Sequence, residues 1–204
     1  MVDTVGMRRR ARVVVVAAVG LVSAVTACDA TPEAAPTGST VSAPTEPQVS
    51  TSPGEFPVPP LRLPSVAPGA ACPVTESKPW ANPDQAPRVI GSGPLYPIAS
   101  YFPDNALPLR DRNQDGSYTV KARWLAAGYT GPVLVRVGRI DGPGSASMQF
   151  SYLGESRDDG HHAVLTNPDT DLPATTTVSG PGCYAYQVDG TSFSYTVVFR
   201  AAPA

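Results

Sequence analysis

The last two strand-like runs of this chain restrict its fold more than any other feature. From Cys183 to Arg200 the residues alternate in character: Phe193, Tyr195, Val197 and Phe199 fall on one side of an extended chain, and Ser192, Ser194, Thr196 and Arg200 on the other. A period of two is the mark of a strand with one buried face. The runs Cys183 to Val188 and Ser192 to Arg200 flank Asp189-Gly190, a dipeptide favoured in tight turns, so the spacing predicts a hairpin. Tyr184 and Tyr186 alternate with Cys183 and Ala185. They are either core or an exposed sheet face, and they are candidates for a ligand face in the second case.

The same period recurs upstream. Tyr118 to Ala127 sets Val120, Ala122 and Trp124 against Lys121 and Arg123, and Pro132 to Ile140 sets Val133, Val135 and Val137 against Arg136. With Gly128-Tyr129-Thr130-Gly131 between them, the two runs read as a second hairpin, with Tyr129 exposed at its tip as another ligand-face candidate. Arg88 to Ile90, Leu95 to Tyr101, Ser147 to Tyr152, Ala163 to Thr166 and Thr175 to Ser179 are shorter strand candidates. No segment from Cys72 onward carries ten residues of helical period with caps. Roughly seven to nine short strands with Gly, Pro and Asp turns predict an all-β domain over residues 71–204, an antiparallel β-sandwich of immunoglobulin-like build.

The N-terminus carries an address. Arg8, Arg9, Arg10 and Arg12 precede an apolar run of 15 residues, Val13 to Ala27. A membrane-spanning helix needs about 20 apolar residues, whereas a run of about 7–15 after a basic segment is the core of a signal peptide. Val25-Thr26-Ala27-Cys28 closes it as a lipobox. Residues 1–27 are therefore expected to be a lipoprotein signal peptide, with Cys28 lipidated and first in the mature chain. A diacylglyceryl group supplies two acyl chains, each buried CH₂ contributing about 0.8 kcal/mol, enough for durable anchoring to the bacterial cell membrane from the extracytoplasmic side.

Residues 28–70 are rich in Pro, Thr and Ser without apolar periodicity, which predicts a disordered stalk. Extended as polyproline, it would reach on the order of 130 Å. Phe56-Pro57-Val58-Pro59-Pro60-Leu61 is its one apolar patch and a candidate to dock on the domain. Of the three cysteines, lipidation of Cys28 leaves Cys72 and Cys183, and an even pair in an exported chain predicts a disulfide.

Tyr129 to Arg136, Asp141-Gly142-Pro143, and Pro181 to Gly190 followed by Phe193 to Phe199 resemble a group of secreted actinobacterial proteins of unknown function, lipoproteins among them. The resemblance covers most of residues 72–201, is most specific in the last hairpin, and implies no activity. The likeness to an immunoglobulin sandwich rests on a Trp in a middle strand and a Cys in the next-to-last, although Cys72 lies about 50 residues before Trp124.

Removal of residues 1–27 takes four of the 15 basic side chains and one of the 17 acidic ones, leaving 11 against 16 and a formal charge of −5. That balance argues against nucleic acid as a partner. Asp111-Arg112-Asn113-Gln114-Asp115-Gly116 matches the start of a calcium loop, making Asp111, Asn113 and Asp115 a weak Ca²⁺ candidate. The twelfth position, where such a loop needs a bidentate carboxylate, is Ala122, so a turn entering a strand is the simpler reading. Asp158-Asp159-Gly160-His161-His162 contains both histidines, which on a strand point to opposite faces. Gly-x-Ser-x-Gly is absent, and no catalytic residue, metal or cofactor is assigned. The expectation is a membrane-anchored, non-enzymatic β-sandwich module contacting an envelope protein or glycan. A hydrolase or metal-assisted enzyme built on the Asp158 to His162 segment is the alternative.

Overall fold

A computed structural model of the chain describes residues 56–204. The signal segment and Cys28 lie outside the described residues. Twelve strands form: β1 (Ser77–Pro79), β2 (Arg88–Ile90), β3 (Leu95–Pro97), β4 (Ala106–Leu109), β5 (Tyr118–Ala126), β6 (Gly131–Arg139), β7 (Ala146–Phe150), β8 (Glu155–Arg157), β9 (Gly160–Leu165), β10 (Asp171–Val178), β11 (Gly182–Gly190) and β12 (Ser194–Pro203). A four-stranded sheet in the order β3-β5-β10-β7 packs on a six-stranded sheet in the order β4-β12-β11-β6-β9-β8, and β1-β2 form a separate ribbon. The domain is all-β and antiparallel, a sandwich as expected; the one parallel pair is β4 with β12.

The inward side chains of both sheets make one core. Trp124 from β5 meets Tyr186 from β11 edge-on at 5.1 Å, and Tyr186 stacks on Phe199 from β12 at 4.5 Å. Met148, Phe150, Leu172, Ala174, Val133 and Val135 fill the remainder. Two polar contacts bridge the layers: Thr176 Oγ1 with the Tyr186 hydroxyl at 2.7 Å, and the Tyr195 hydroxyl of β12 donating to the Leu95 carbonyl of β3. Tyr184 of β11 donates its hydroxyl to the carbonyl of Gly180, in the β10–β11 connection, at 2.8 Å, the kind of tyrosine contact that pins a corner between sheets.

The alternation within β5 and β6 holds, but the hairpin between them does not. β5 lies in the four-stranded sheet and β6 in the six-stranded one, so residues 127–130 arch across the sandwich. The apolar faces that a hairpin would align on one side of one sheet instead look at each other across the core. Gly128 at φ +67° and Gly131 at φ +125° supply the left-handed backbone that reverses the direction. The final hairpin forms, with its turn shifted. Asp189 pairs with Ser194 in the ladder and Gly190 N–H donates to the Phe193 carbonyl at 2.9 Å, so the reversal is Gly190-Thr191-Ser192-Phe193.

Cys72 and Cys183 are joined, with Cα atoms 5.5 Å apart. The bridge lies on the outer face of the six-stranded sheet beside Ile140, Ala185 and Val198. Trp124, in the core, therefore packs on Tyr186 rather than on a bridge between the sheets. Asp141 secures the same corner: its carboxylate takes Arg139 Nε at 2.6 Å and the Cys183 N–H at 2.9 Å. Burial works to raise the Asp141 carboxyl, but these donors outweigh it and hold it below the ordinary carboxylate range. The stability this contributes is complete above that range and is lost as the pH falls below it.

The end of the stretch expected to be a disordered stalk lies against the domain from Phe56 onward. Phe56 is buried against His162, with ring centroids 6.0 Å apart. The carbonyls of Pro59 and Pro60 accept from Arg136 Nη2 at 2.8 Å and Gln187 Nε2 at 3.0 Å, and Arg62 N–H donates to Gln187 Oε1. Leu63 and Val66 then pack toward Cys72, and Val66 N–H donates to the Ile140 carbonyl at 2.8 Å. Residues 56–66 are thus a strap across the outer face of the six-stranded sheet. The sequence reading set the boundary at residue 71 because a proline-rich strap has no periodicity of its own. Its order comes from main-chain groups meeting side chains on a sheet distant in sequence. Limited proteolysis followed by mass spectrometry is expected to leave a resistant fragment that begins at or before Phe56. A fragment beginning near Cys72 would show that the strap does not hold.

Candidate functional site

On the β7 side of the four-stranded sheet the outward residues are polar. Ser147 and Gln149 on β7, Thr175 and Thr177 on β10, and Thr119 and Lys121 on β5 occupy adjacent register positions. The hydroxyls of Thr119 and Thr177 lie 2.9 Å apart. Beyond β7, the β8–β9 turn rises as a wall. Together they enclose an open groove of about 710 Å³, lined by Thr119, Ala146 to Gln149, Ser156 to Gly160, Thr175 and Thr177. The wall is a two-residue hairpin turn with Asp158 at φ +53° and Asp159 at φ +57°. The left-handed region costs non-glycine residues roughly 1–2 kcal/mol each, least for Asp and Asn. Positive φ at both central residues gives the right-handed twist a hairpin needs. Arg157 Nε reaches the Asp158 carboxylate at 2.8 Å, while Asp159 forms no ion pair among the described residues.

The Asp158 to His162 segment does not assemble into one cluster. Asp158 and Asp159 stand on the groove wall. His161 points inward, its ring 5.4 Å from that of Phe150, and donates from Nε2 to the Leu153 carbonyl at 2.8 Å. His162 points to the opposite face, beneath Phe56, with its Nε2 buried and unbonded. Burial, and secondarily the charge of Arg157, push the His162 imidazole below its ordinary range. Among the described residues no group of three or more His, Cys, Asp or Glu side chains could hold a metal ion.

The weak Ca²⁺ candidate folds on itself. Asp115 Oδ1 accepts from Ser117 N–H at 2.9 Å and Ser117 Oγ at 2.6 Å, which lowers its pKa. Asn113 N–H donates to the Ser117 carbonyl, and Asn113 Nδ2 to the hydroxyls of Ser117 and Thr119. Asp111 makes no ion pair among the described residues. This is a turn stabilised by short-range hydrogen bonds, entering β5.

The three tyrosines proposed as a ligand face take other places. Tyr184 and Tyr186 are completely buried, so the core alternative is the correct one for both. Tyr129 is half-buried: its ring meets Phe193 edge-on at 5.0 Å, and its hydroxyl donates to the Pro132 carbonyl at 2.8 Å. It fastens the arch to the final turn. Phe193, the end of the apolar alternation, gives it a surface to pack on. No family model, curated protein or solved structure matches this chain.

A second polar constellation was missed in the sequence because Asp189 looked like a turn residue. It is fully buried on the outer face of the six-stranded sheet. Its carboxylate accepts from Arg136 Nη2 at 2.7 Å, Gln187 Nε2 at 3.0 Å and Ser194 Oγ at 2.6 Å. Arg136 and Gln187 also grip the strap, so this cluster is spent on the chain's own main chain. The signal that was present is parity: Arg136, Gln187 and Asp189 all occupy outward positions of adjoining strands.

Proposed function

We propose that this chain is an extracytoplasmic lipoprotein that presents a non-enzymatic β-sandwich binding module at the bacterial cell envelope. The observation that carries the reading is the position of the groove. It opens on the four-stranded side of the sandwich, while the strap through which the N-terminal chain arrives lies on the outer face of the six-stranded side. The strap, from Phe56 onward, thus lies on the side of the sandwich away from the groove, an arrangement suited to offering the groove to an envelope protein or glycan. The polar part of the lining is hydroxyls, the Gln149 amide, the Asp158 and Asp159 carboxylates and the Arg157 guanidinium, suited to holding a polar ligand by hydrogen bonds. The immunoglobulin-like build and the affinity with actinobacterial lipoproteins belong to the same proposal. They are supported by the two-sheet sandwich, the Tyr184 corner and the residues of the final hairpin.

Two measurements test it. An alkyne-tagged fatty acid should label the wild-type chain in cells, and Cys28→Ser should abolish the label and release the protein to the medium; equal labelling of both would remove the anchor. A panel of ester, glycoside and phosphate substrates should show no turnover. Metal-dependent turnover that disappears in His162→Ala would replace the binding module with the hydrolase alternative.

A further inference from the structure

Between the groove's polar floor and its wall runs a strand edge with nothing paired to it among the described residues. Strand β7 ends the four-stranded sheet, joined only to β10. Ser151 N–H donates to the Pro173 carbonyl at 2.8 Å and Ser179 N–H to the Ser145 carbonyl at 3.0 Å. With Gln149 opposite Thr175 and Ser147 opposite Thr177, the main-chain groups of the odd-numbered residues face β10. In an antiparallel pair the main-chain direction alternates, so the N–H and C=O groups of Ala146, Met148 and Phe150 point toward the free edge.

Exposed sheet edges are ordinarily blocked by proline or charge. The other three end strands follow that rule: Pro97 in β3, Pro108 in β4, Glu155 and Arg157 in β8. β7 reads Ala-Ser-Met-Gln-Phe, with neither. The one unguarded edge of either sheet is the one that borders the groove.

We infer that the groove binds an extended peptide, which adds to β7 as a further antiparallel or parallel strand through Ala146 and Met148. The inference rests on the reading of the groove as the binding site and names its ligand class. Main-chain recognition of this kind draws affinity from the ladder and specificity from alternate side chains. The β8–β9 turn lines the groove beside this edge, and a second copy's whole sheet would meet it on approach, which disfavours that occupant. No aromatic side chain among the lining residues offers a stacking surface to a sugar ring. Asp159, without an ion-pair partner among the described residues, favours a peptide with a Lys or Arg at the wall.

The test pans a displayed library of random dodecapeptides, and in parallel a glycan array, against the full chain. Peptides carrying Lys or Arg should be enriched. In amide exchange followed by NMR, a bound peptide should slow the Ala146 and Met148 amides at least tenfold and leave those of Ser147 and Gln149, already bonded to β10, unchanged. Asp159→Asn should weaken binding several-fold, and Ala146→Pro, which removes an edge N–H at the partly buried first residue of β7, should weaken it at least tenfold with an unchanged far-ultraviolet spectrum. The exchange pattern needs no variant, so it decides the matter even if Ala146→Pro misfolds. Peptides that bind without protecting Ala146 and Met148 overturn strand addition. Glycans that bind, and are lost in Thr175→Arg while no peptide binds, overturn strand addition but leave the groove as the site. Binding of neither class overturns both. A concentration-dependent dimer with the same protection pattern would make a second copy the occupant and overturn the inference.

Discussion

Replacing Asp189 by alanine is expected to destabilise the domain by about 3–5 kcal/mol and to free the strap in the same step. The carboxylate has no solvent exposure, and the side chain of Arg136 is only 6% exposed. Without the carboxylate, the guanidinium is left in the protein with only the Pro59 carbonyl at Nη2 and no partner at its buried Nε. An unpaired buried charge is far more costly than the net contribution of the intact pair. Arg136 and Gln187, released from Asp189, then lose the orientation in which they meet Pro59 and Pro60. Urea denaturation measures the first effect, and amide exchange at Arg62 and Val66 the second. The double variant Arg136→Met, Asp189→Leu should regain most of the loss, because two apolar groups of similar size leave no charge behind. A cost below about 1 kcal/mol for Asp189→Ala would show that the carboxylate is not the keystone of this face.

Reduction of the Cys72–Cys183 bridge is expected to lower stability by about 2–4 kcal/mol and the melting temperature by roughly 5–15 °C. The cross-link spans a sequence separation of 111, for which the chain-entropy model allows about 4–5 kcal/mol. The measured effect should fall short of that, because β11 and β12 remain paired along their length and the core does not involve the bridge. The loss should be concentrated on the outer face, where Cys72 holds the chain between Val66 and Thr75 over Ile140 and Val198. Differential scanning calorimetry with and without reductant, on protein still folded at room temperature, gives the shift. Thiol titration of the denatured, unreduced chain should find no free thiol at Cys72 or Cys183. Two free thiols there would remove the bridge.

Alternation proved reliable for faces and unreliable for partners. Val120, Ala122 and Trp124 point inward from β5, and Val133, Val135 and Val137 inward from β6, as their spacing required. The same pattern predicts the two strands side by side, and they lie in opposite sheets. A Gly-Tyr-Thr-Gly connection serves a hairpin or an arch, since both need left-handed backbone and a short span. The candidate site was legible only in fragments. Asp158 and Asp159 were singled out, but for a segment containing the histidines. Ser147, Gln149, Thr175 and Thr177 carried no motif, because short polar residues on a strand are the ordinary dress of a solvated face. They become a groove only when the β8–β9 turn stands over β7.

What the sequence determined by itself is local: the class of secondary structure, which side of each strand is apolar, and the expectation of an exported chain whose two remaining cysteines pair. These follow from side-chain period, turn chemistry and thiol redox, all of which act within a few residues or through the compartment. What only the tertiary structure decided is which sheet each strand joined, that Asp189 is buried with Arg136 and Gln187 beneath Pro59 and Pro60, and that β7 keeps an open edge. Those outcomes depend on donors and acceptors finding partners 53 to 127 residues away in sequence. A main-chain carbonyl looks the same at every residue, so nothing in the residue names records where it will be bound.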